Sequence, residues 1–117
     1  MNKILLVEDE SLMLNTIKLK LQEDGYEVTC CIDGREALKQ INTQIFDLII
    51  MDIMLPYASG LELLGILRSK SATPIIMLTV MGQEKTIEEA FELGADDYLH
   101  KPFSLKELLA RIKRFLK

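Results

Sequence analysis

Short apolar runs alternate with segments of helical period along the whole chain. The runs have the length of β-strands and predict five strands, at Lys3–Val7, Tyr26–Cys30, Leu48–Met51, Ile75–Leu78 and Asp97–Leu99. The intervening segments predict five helices, at about Ser11–Asp24, Arg35–Asn42, Gly60–Arg68, Glu84–Leu93 and Leu105–Leu116. The pattern is therefore (βα)5, with one domain over residues 1–117.

The composition of the strands indicates how they assemble. Several are apolar almost without interruption, as strands of a parallel sheet must be when helices cover both faces. The second and fifth strands are more mixed, which is typical of edge strands. The sequence therefore predicts an α/β fold with an open, doubly wound parallel sheet.

Helix ends are marked by residues that satisfy free backbone groups. Pairs with capping spacing are Ser59 with Glu62, Ser104 with Glu107, and Asp33 with Glu36. Gly25 and Gly94 stand where a helix end favours a left-handed residue. These signals support the predicted helices independently of hydrophobicity.

Composition and charge restrict the classes of function. A chain of 117 residues that is 49% hydrophobic matches one compact domain. Its net charge of -4 disfavours direct binding of this segment to nucleic acid. The apolar runs are too short to cross a bilayer, so we expect a cytoplasmic protein with no membrane partner. The neighbouring Cys30 and Cys31 are poor disulfide partners and suit a reducing compartment.

Chemistry-bearing side chains follow the predicted strands. In open α/β sheets ligands bind beyond the carboxyl ends of the strands, which selects Glu8, Asp9, Asp52, Thr79 and Lys101. Carboxylates so close together need a cation, and hard oxygen ligands suit Mg²⁺. Taken singly, each residue also fits a turn, cap, strand or solvated role, and only their joint placement indicates a site.

The motifs around these residues resemble the receiver domain of a bacterial two-component response regulator. The resemblance covers the chain and is carried by Leu5–Glu10, Asp47–Pro56 with Gly60, Thr79, and Gly94–Phe103. It implies a flavodoxin-like sheet of strand order 2-1-3-4-5. It also implies a phosphorylated signalling domain rather than an enzyme, one that assists its own phosphotransfer and dephosphorylation.

The resemblance assigns a role to each site residue. Asp52 would accept a phosphoryl group from a sensor histidine kinase or a phosphotransfer protein. Glu8, Asp9, Asp52 and the backbone carbonyl of Met54 would bind Mg²⁺, with Glu8 standing where many receivers have Asp. Lys101 would contact a phosphoryl oxygen, and the Lys101–Pro102 bond would be cis. Thr79 would donate its hydroxyl to another phosphoryl oxygen.

The same resemblance implies a route for output. Thr79 would move and Tyr98 would rotate after phosphorylation, changing the surface of helix 4, strand 5 and helix 5. The segment after Gly94 resembles the winged-helix transcription-factor branch, which implies a homodimer through this face and a longer DNA-binding regulator. The residues of this output or dimer face are Ile87, Phe91, Asp97, Tyr98, Glu107 and Arg111. That branch usually has a basic residue at the position of Ile87, which would leave Glu107 without its usual partner.

Three other interpretations fit these residues less well. A flavin-binding module shares the expected fold, but Glu8, Asp9 and Glu10 would repel its phosphate. A haloacid-dehalogenase-type phosphatase needs a second Asp where Met54 stands. A receiver-like protein that binds partners without phosphorylation would not need the complete set of acids, hydroxyl and lysine.

Residues outside the motifs carry weaker expectations. Leu12 and Leu14 are expected to form an apolar docking patch beside Asp9. His100 is expected to face solvent at the end of a strand. Met51, Met54, Met77 and Met81 are expected to be adaptable packing residues, with Met54 and Met81 influencing the access of water to Asp52.

Overall fold

A computed structural model describes residues 1–80 and 82–116, so Met81 lies outside the described residues. Strands and helices alternate strictly along these residues. The strands are β1 (Lys3–Val7), β2 (Glu27–Cys31), β3 (Leu48–Asp52), β4 (Ile75–Thr79) and β5 (Asp97–His100). The helices are α1 (Ser11–Glu23), α2 (Gly34–Thr43), α3 (Gly60–Lys70), α4 (Glu84–Glu92) and α5 (Leu105–Phe115). The predicted (βα)5 pattern is confirmed.

All the strand pairs are parallel, and the sheet has the order β2-β1-β3-β4-β5. This order confirms the expectation, including β2 and β5 as the edges. Every residue of β3 and β4 is buried, because helices cover both faces of the sheet.

Two apolar layers enclose the sheet. One contains α2, α3 and α4, with Leu63 and Leu67 fully or almost fully buried against the strands. The other contains α1 and α5, with Ile17 and Ile112 fully buried. The chain therefore leaves β1 toward one face and β3 toward the other. This divergence opens a crevice at the carboxyl ends of these neighbouring strands, where a site is expected.

Strand boundaries differ from the predicted ones by about one residue because backbone pairing, and not hydrophobicity, sets them. β2 begins at Glu27, which pairs with Lys3, whereas Tyr26 donates its amide to the Leu21 carbonyl at 3.1 Å. β3 and β4 extend to polar residues, since Asp52 pairs with Leu78 and Thr79 with His100. Asp52 and Thr79, two of the candidate site residues, are thus held by the backbone pairing of the sheet.

The predicted helix caps are present. The side chains of Asp33, Ser59 and Ser104 accept the backbone N–H three residues ahead. Gly25 and Gly94 have φ values of +90° and +111°. Gly60, the first residue of α3, must lack a side chain because a Cβ there would lie 2.3 Å from the Asp52 carbonyl oxygen.

Two expectations about apolar side chains were wrong. Leu14 does not form an exposed patch with Leu12, because it lies on the buried stripe of α1 with Ile17 and Leu21. Leu12 is 73% exposed. Among the described methionines Met51 and Met77 are buried packing residues, but Met54 is not, because its loop leaves the side chain 57% exposed.

Candidate functional site

Three acids meet at the carboxyl edge of the sheet. Glu8 and Asp9 follow β1, and Asp52 ends β3, the strand paired with β1. One carboxylate oxygen from each residue lies within 4.8 Å of the others. Glu8 and Asp52 are buried, whereas Asp9 is exposed, so the cluster opens to solvent on the Asp9 side.

Lys101 bridges the two buried acids of this cluster. Its Nζ donates to Glu8 Oε1 at 2.7 Å and to Asp52 Oδ2 at 2.6 Å. Its backbone N–H donates to the Thr79 carbonyl at 2.8 Å, and the Lys101–Pro102 bond is cis. The lysine is therefore held at the end of β4 while its side chain spans two carboxylates.

Burial and hydrogen bonding shift the pKa values of Glu8 and Lys101 in opposite directions. Burial raises the pKa of Glu8 above its ordinary value, although the hydrogen bond from Lys101 works against the shift. Burial lowers the pKa of Lys101, but the hydrogen bonds to Asp52 and Glu8 outweigh it, and the net shift is upward. Lys101 is therefore a fixed cation at neutral pH.

Backbone amides hold the remaining carboxylate oxygens. Met54 N–H donates to Asp52 Oδ1 at 3.0 Å, and Glu10 N–H donates to Glu8 Oε2 at 3.0 Å. Both oxygens of Asp52 thus have a donor, which fixes the plane of its carboxylate. The loop after β3 contacts Asp52 through the backbone N–H of Met54, the residue whose carbonyl the family resemblance assigns to the metal.

Two other site residues lie on β4 and β5. Thr79 is fully buried as the last residue of β4, and its carbonyl anchors Lys101. Tyr98 is half-buried and packs against the layer formed by α2, α3 and α4. Burial and the negative charge of Asp52 both raise the pKa of Tyr98. Tyr98 therefore lies within electrostatic reach of Asp52.

The predicted output face contains an internal ion-pair cluster. Asp97 is buried and pairs with Arg111 at 2.5 Å and with Arg114 at 3.5 Å, both from α5 of the same chain. On α4, Ile87 is half-buried and Phe91 is 46% exposed, while Glu107 on α5 is exposed. The structure thus pairs Asp97 and Arg111 within one chain, and Arg114 is a partner that the sequence did not reveal.

His100 contacts the loop after β4. The residue is exposed as expected, but its Nε2 lies 3.1 Å from the Val80 carbonyl oxygen. Its ring also fills the space beside Gly82, where a Cβ would approach within 2.7 Å. No sequence signal indicates this contact, because it depends on the pairing of β4 with β5.

The donor set fits a hard divalent cation. Three carboxylates, of which one is solvent-accessible, offer the oxygen ligands that Mg²⁺ prefers. The single ammonium of Lys101 does not balance three acids, so the site favours a further positive charge.

No helix within residues 1–80 and 82–116 is long and apolar enough to cross a membrane.

Comparison with known proteins agrees with the geometry. Residues 4–113 match the family described as response regulator receiver domain. The chain is 44% identical to the transcriptional regulatory protein CpxR of Escherichia coli over 117 residues, which are 100% of this chain and 50% of that protein. It is 42% identical to CrdR of Helicobacter pylori over 115 residues, 97% of this chain and 54% of the relative. The chain thus spans about half the length of the curated relatives it matches.

Solved structures show the same fold. A Francisella response regulator receiver domain has a TM-score of 0.93 at 40% identity, covering 98% of this chain and 96% of that one. The response regulator TrrA of Thermotoga maritima, in complex with Mg²⁺ and BeF, has a TM-score of 0.89 at 38% identity, covering 99% and 100%. The family match decides against the flavin and phosphatase alternatives. The chain belongs to the response regulator receiver domain family, the signalling module of two-component systems.

Proposed function

We propose that Asp52 accepts a phosphoryl group from a sensor histidine kinase or a phosphotransfer protein. The observation that carries this proposal is the position of Asp52, buried beside Lys101, which also contacts Glu8, with both Asp52 carboxylate oxygens oriented by donors. A carboxylate fixed in this way is preorganised as a nucleophile.

The transfer is a displacement at phosphorus. An Asp52 oxygen forms a bond to phosphorus, and the bond between phosphorus and the imidazole nitrogen of the donor breaks. The imidazole keeps the electron pair. Lys101 Nζ, 2.6 Å from Asp52 Oδ2, is close enough to hydrogen-bond a phosphoryl oxygen as negative charge accumulates there. The hydroxyl of Thr79 would bind another phosphoryl oxygen.

Mg²⁺ would be held by Glu8, Asp9, Asp52 and the backbone carbonyl of Met54. When bound, the ion supplies positive charge that screens the incoming phosphoryl group from the acids. The exposed Asp9 provides the accessible side of the site, while the buried Glu8 stays under Lys101. Its longer side chain, compared with Asp, suits contact with the ion through water.

We place the response to phosphorylation in Thr79 and Tyr98. A phosphoryl group adds up to about two negative charges at Asp52. Thr79 would move toward this group, and Tyr98 would rotate inward, since a tyrosine can satisfy both a buried and an exposed position. Burial and, secondly, the charge of Asp52 raise the pKa of Tyr98, so the two groups are close enough to interact.

The partner would dock beside Lys101. A cleft of about 640 Å³ lies there, lined by Leu12, Met13, Phe103 and Leu105. Its apolar wall and its position at the mouth of the acidic site suit the helical surface of a kinase or phosphotransfer protein. Leu12 and Thr16 are the exposed residues of α1 in this lining, whereas Leu14 lies in the core.

The output face would bind a second copy of the chain and, in a longer DNA-binding protein, control transcription. The curated relatives are named transcriptional regulatory proteins and are about twice as long. Because Asp97 already pairs with Arg111 and Arg114, a dimer that uses these charges must exchange internal ion pairs for intermolecular ones. Sedimentation with and without Mg²⁺ and beryllofluoride tests this, and a monomer under both conditions would contradict it.

Intact-mass spectrometry tests the phosphotransfer itself. Incubation with Mg²⁺ and phosphoramidate should add one phosphoryl group to the native chain and to Asp24→Asn, which alters an exposed acid at the end of α1. Asp52→Asn should remain unlabelled because it lacks the nucleophile. Absence of the adduct on the native chain, or its survival in Asp52→Asn, would reject Asp52 as the acceptor.

A further inference from the structure

The loop between β3 and α3 has an unusual backbone. Tyr57 has φ of +72° and is the one described residue other than glycine with a positive φ. Ala58 N–H donates to the Pro56 carbonyl at 2.9 Å, so Tyr57 is the central residue of a three-residue turn. The φ and the hydrogen bond are those of the classic γ-turn, which is rare and strained.

This strained turn belongs to the loop that contacts Asp52. The loop begins with Ile53, whose carbonyl accepts the Gly60 N–H at 2.7 Å, and its Met54 amide binds Asp52. It also lines an open groove of about 520 Å³ that includes Asp9. The conformation of the loop therefore sets the surroundings of two acids in the candidate metal site.

Helix α2 holds the tip of the loop from outside. The guanidinium carbon of Arg35 lies 3.5 Å from the centroid of the Tyr57 ring, a close cation–π stack. Gly34 N–H donates to the Pro56 carbonyl at 3.3 Å, and a Cβ on Gly34 would lie 2.7 Å from the Ala58 Cβ. The stack thus adds to a backbone contact that already brings α2 against the turn.

A strained turn persists only where its surroundings stabilise it. Tyr57 is 71% exposed, so burial of its ring in the core does not supply that stabilisation. Its ring stacks on Arg35, and the neighbouring Pro56 and Ala58 lie against Gly34 of α2.

We infer that Arg35 and Tyr57 are positioning residues for the phosphoryl-transfer site. Their stack holds the turn at Tyr57, and the turn keeps the Met54 amide on Asp52 and the loop beside Asp9 in the geometry that binds Mg²⁺. This inference rests on the proposed function, since it assigns a positioning role toward the same site.

Titration with Mg²⁺ alone, followed by the NMR amide signal of Met54, measures this role. Arg35→Ala should raise the Kd for Mg²⁺ by about twofold to fivefold, as expected for loss of an exposed cation–π contact. Arg35→Lys, which keeps a cation, should recover part of the affinity. Lys39→Ala, which removes a charge from the next turn of α2, should leave the Kd unchanged.

Substitutions of Tyr57 separate the stack from the strain. Tyr57→Ala keeps the strained φ without a ring, so it should match Arg35→Ala. Tyr57→Gly removes the strain and should bind Mg²⁺ nearly as the native chain does. In the Tyr57→Gly background, Arg35→Ala should have no further effect, because the turn no longer needs the stack.

Results that differ from these expectations would overturn either this inference or the proposed metal site. An unchanged Kd in Arg35→Ala, or an equal rise in Lys39→Ala, would overturn the inference, the latter by showing an effect of charge alone. If the native chain binds Mg²⁺ and is phosphorylated on Asp52 while Arg35→Ala matches it, this inference alone fails. If the native chain binds no Mg²⁺, both the proposed metal site and this inference fail.

Discussion

Replacement of Lys101 by methionine tests the electrostatics of the site most directly. Methionine approximates the length of the aliphatic part of lysine and removes the ammonium that bridges Glu8 and Asp52. The Glu8 side chain has no exposed surface and that of Asp52 has 8%. The substitution therefore leaves two buried carboxylates facing each other without their internal cation.

The burial of these side chains determines how much unfolding free energy Lys101→Met should lose. Removing one partner of a buried ion pair costs about 3–5 kcal/mol of unfolding free energy. We expect about 3 kcal/mol for Lys101→Met without Mg²⁺, because its side chain remains 13% exposed and Asp9 opens the site to water. This loss is a large part of the roughly 5–15 kcal/mol that stabilises a domain.

The loss should depend on pH in a direction that the pKa shifts determine. The raised pKa of Lys101 means that its contribution is complete below the ordinary lysine pKa and disappears as pH rises through the folded value. In the variant, the pKa of Glu8 should rise further because a hydrogen bond that lowered it is gone. Mild acid then protonates Glu8, so the deficit relative to the native chain should shrink as pH falls.

Urea denaturation with EDTA, at neutral and mildly acidic pH, measures both effects. Lys106→Met, at an exposed lysine of α5, serves as the control and should change the unfolding free energy by less than about 0.5 kcal/mol. Saturating Mg²⁺ should restore most of the loss by supplying a cation to the acids. A deficit below about 1 kcal/mol in EDTA, or one independent of pH, would refute the reasoning.

Two further predictions concern regions away from Asp52. Arg68 donates to the carbonyls of Gly94, Ser71 and Thr73 and pairs with Asp96. Arg68→Ala should therefore lower the free energy of unfolding, measured by urea denaturation, by about 2 kcal/mol. An unchanged free energy of unfolding would contradict this role. Burial raises the pKa of Cys31 to about 12, so its thiol should react with a disulfide reagent at pH near neutrality only as fast as the protein opens. Rapid labelling of native Cys31 would show that the thiol is accessible.

The sequence by itself determined the fold class and the location of the site. Continuous apolar strands such as β4 can be buried only in a sheet covered on both faces, and the capping residue Ser59 marks a helix start by local chemistry. The carboxyl ends of parallel strands share one edge, so placing Asp52 and Lys101 after two such strands was enough to predict that they meet. Their contact at 2.6 Å agrees with that prediction.

Only the tertiary structure decided contacts between side chains that are distant along the chain. Arg35 stacks on Tyr57, and Arg114 joins the pair of Asp97 with Arg111, through approaches of elements that no local pattern encodes. Leu14 and Leu12 have the same hydrophobicity, yet the rotation of α1 buries the first and exposes the second. The physical reason is that hydrophobic periodicity indicates which residues share a face of a helix or strand. The packing of the helices on the sheet then determines which residues that face contacts.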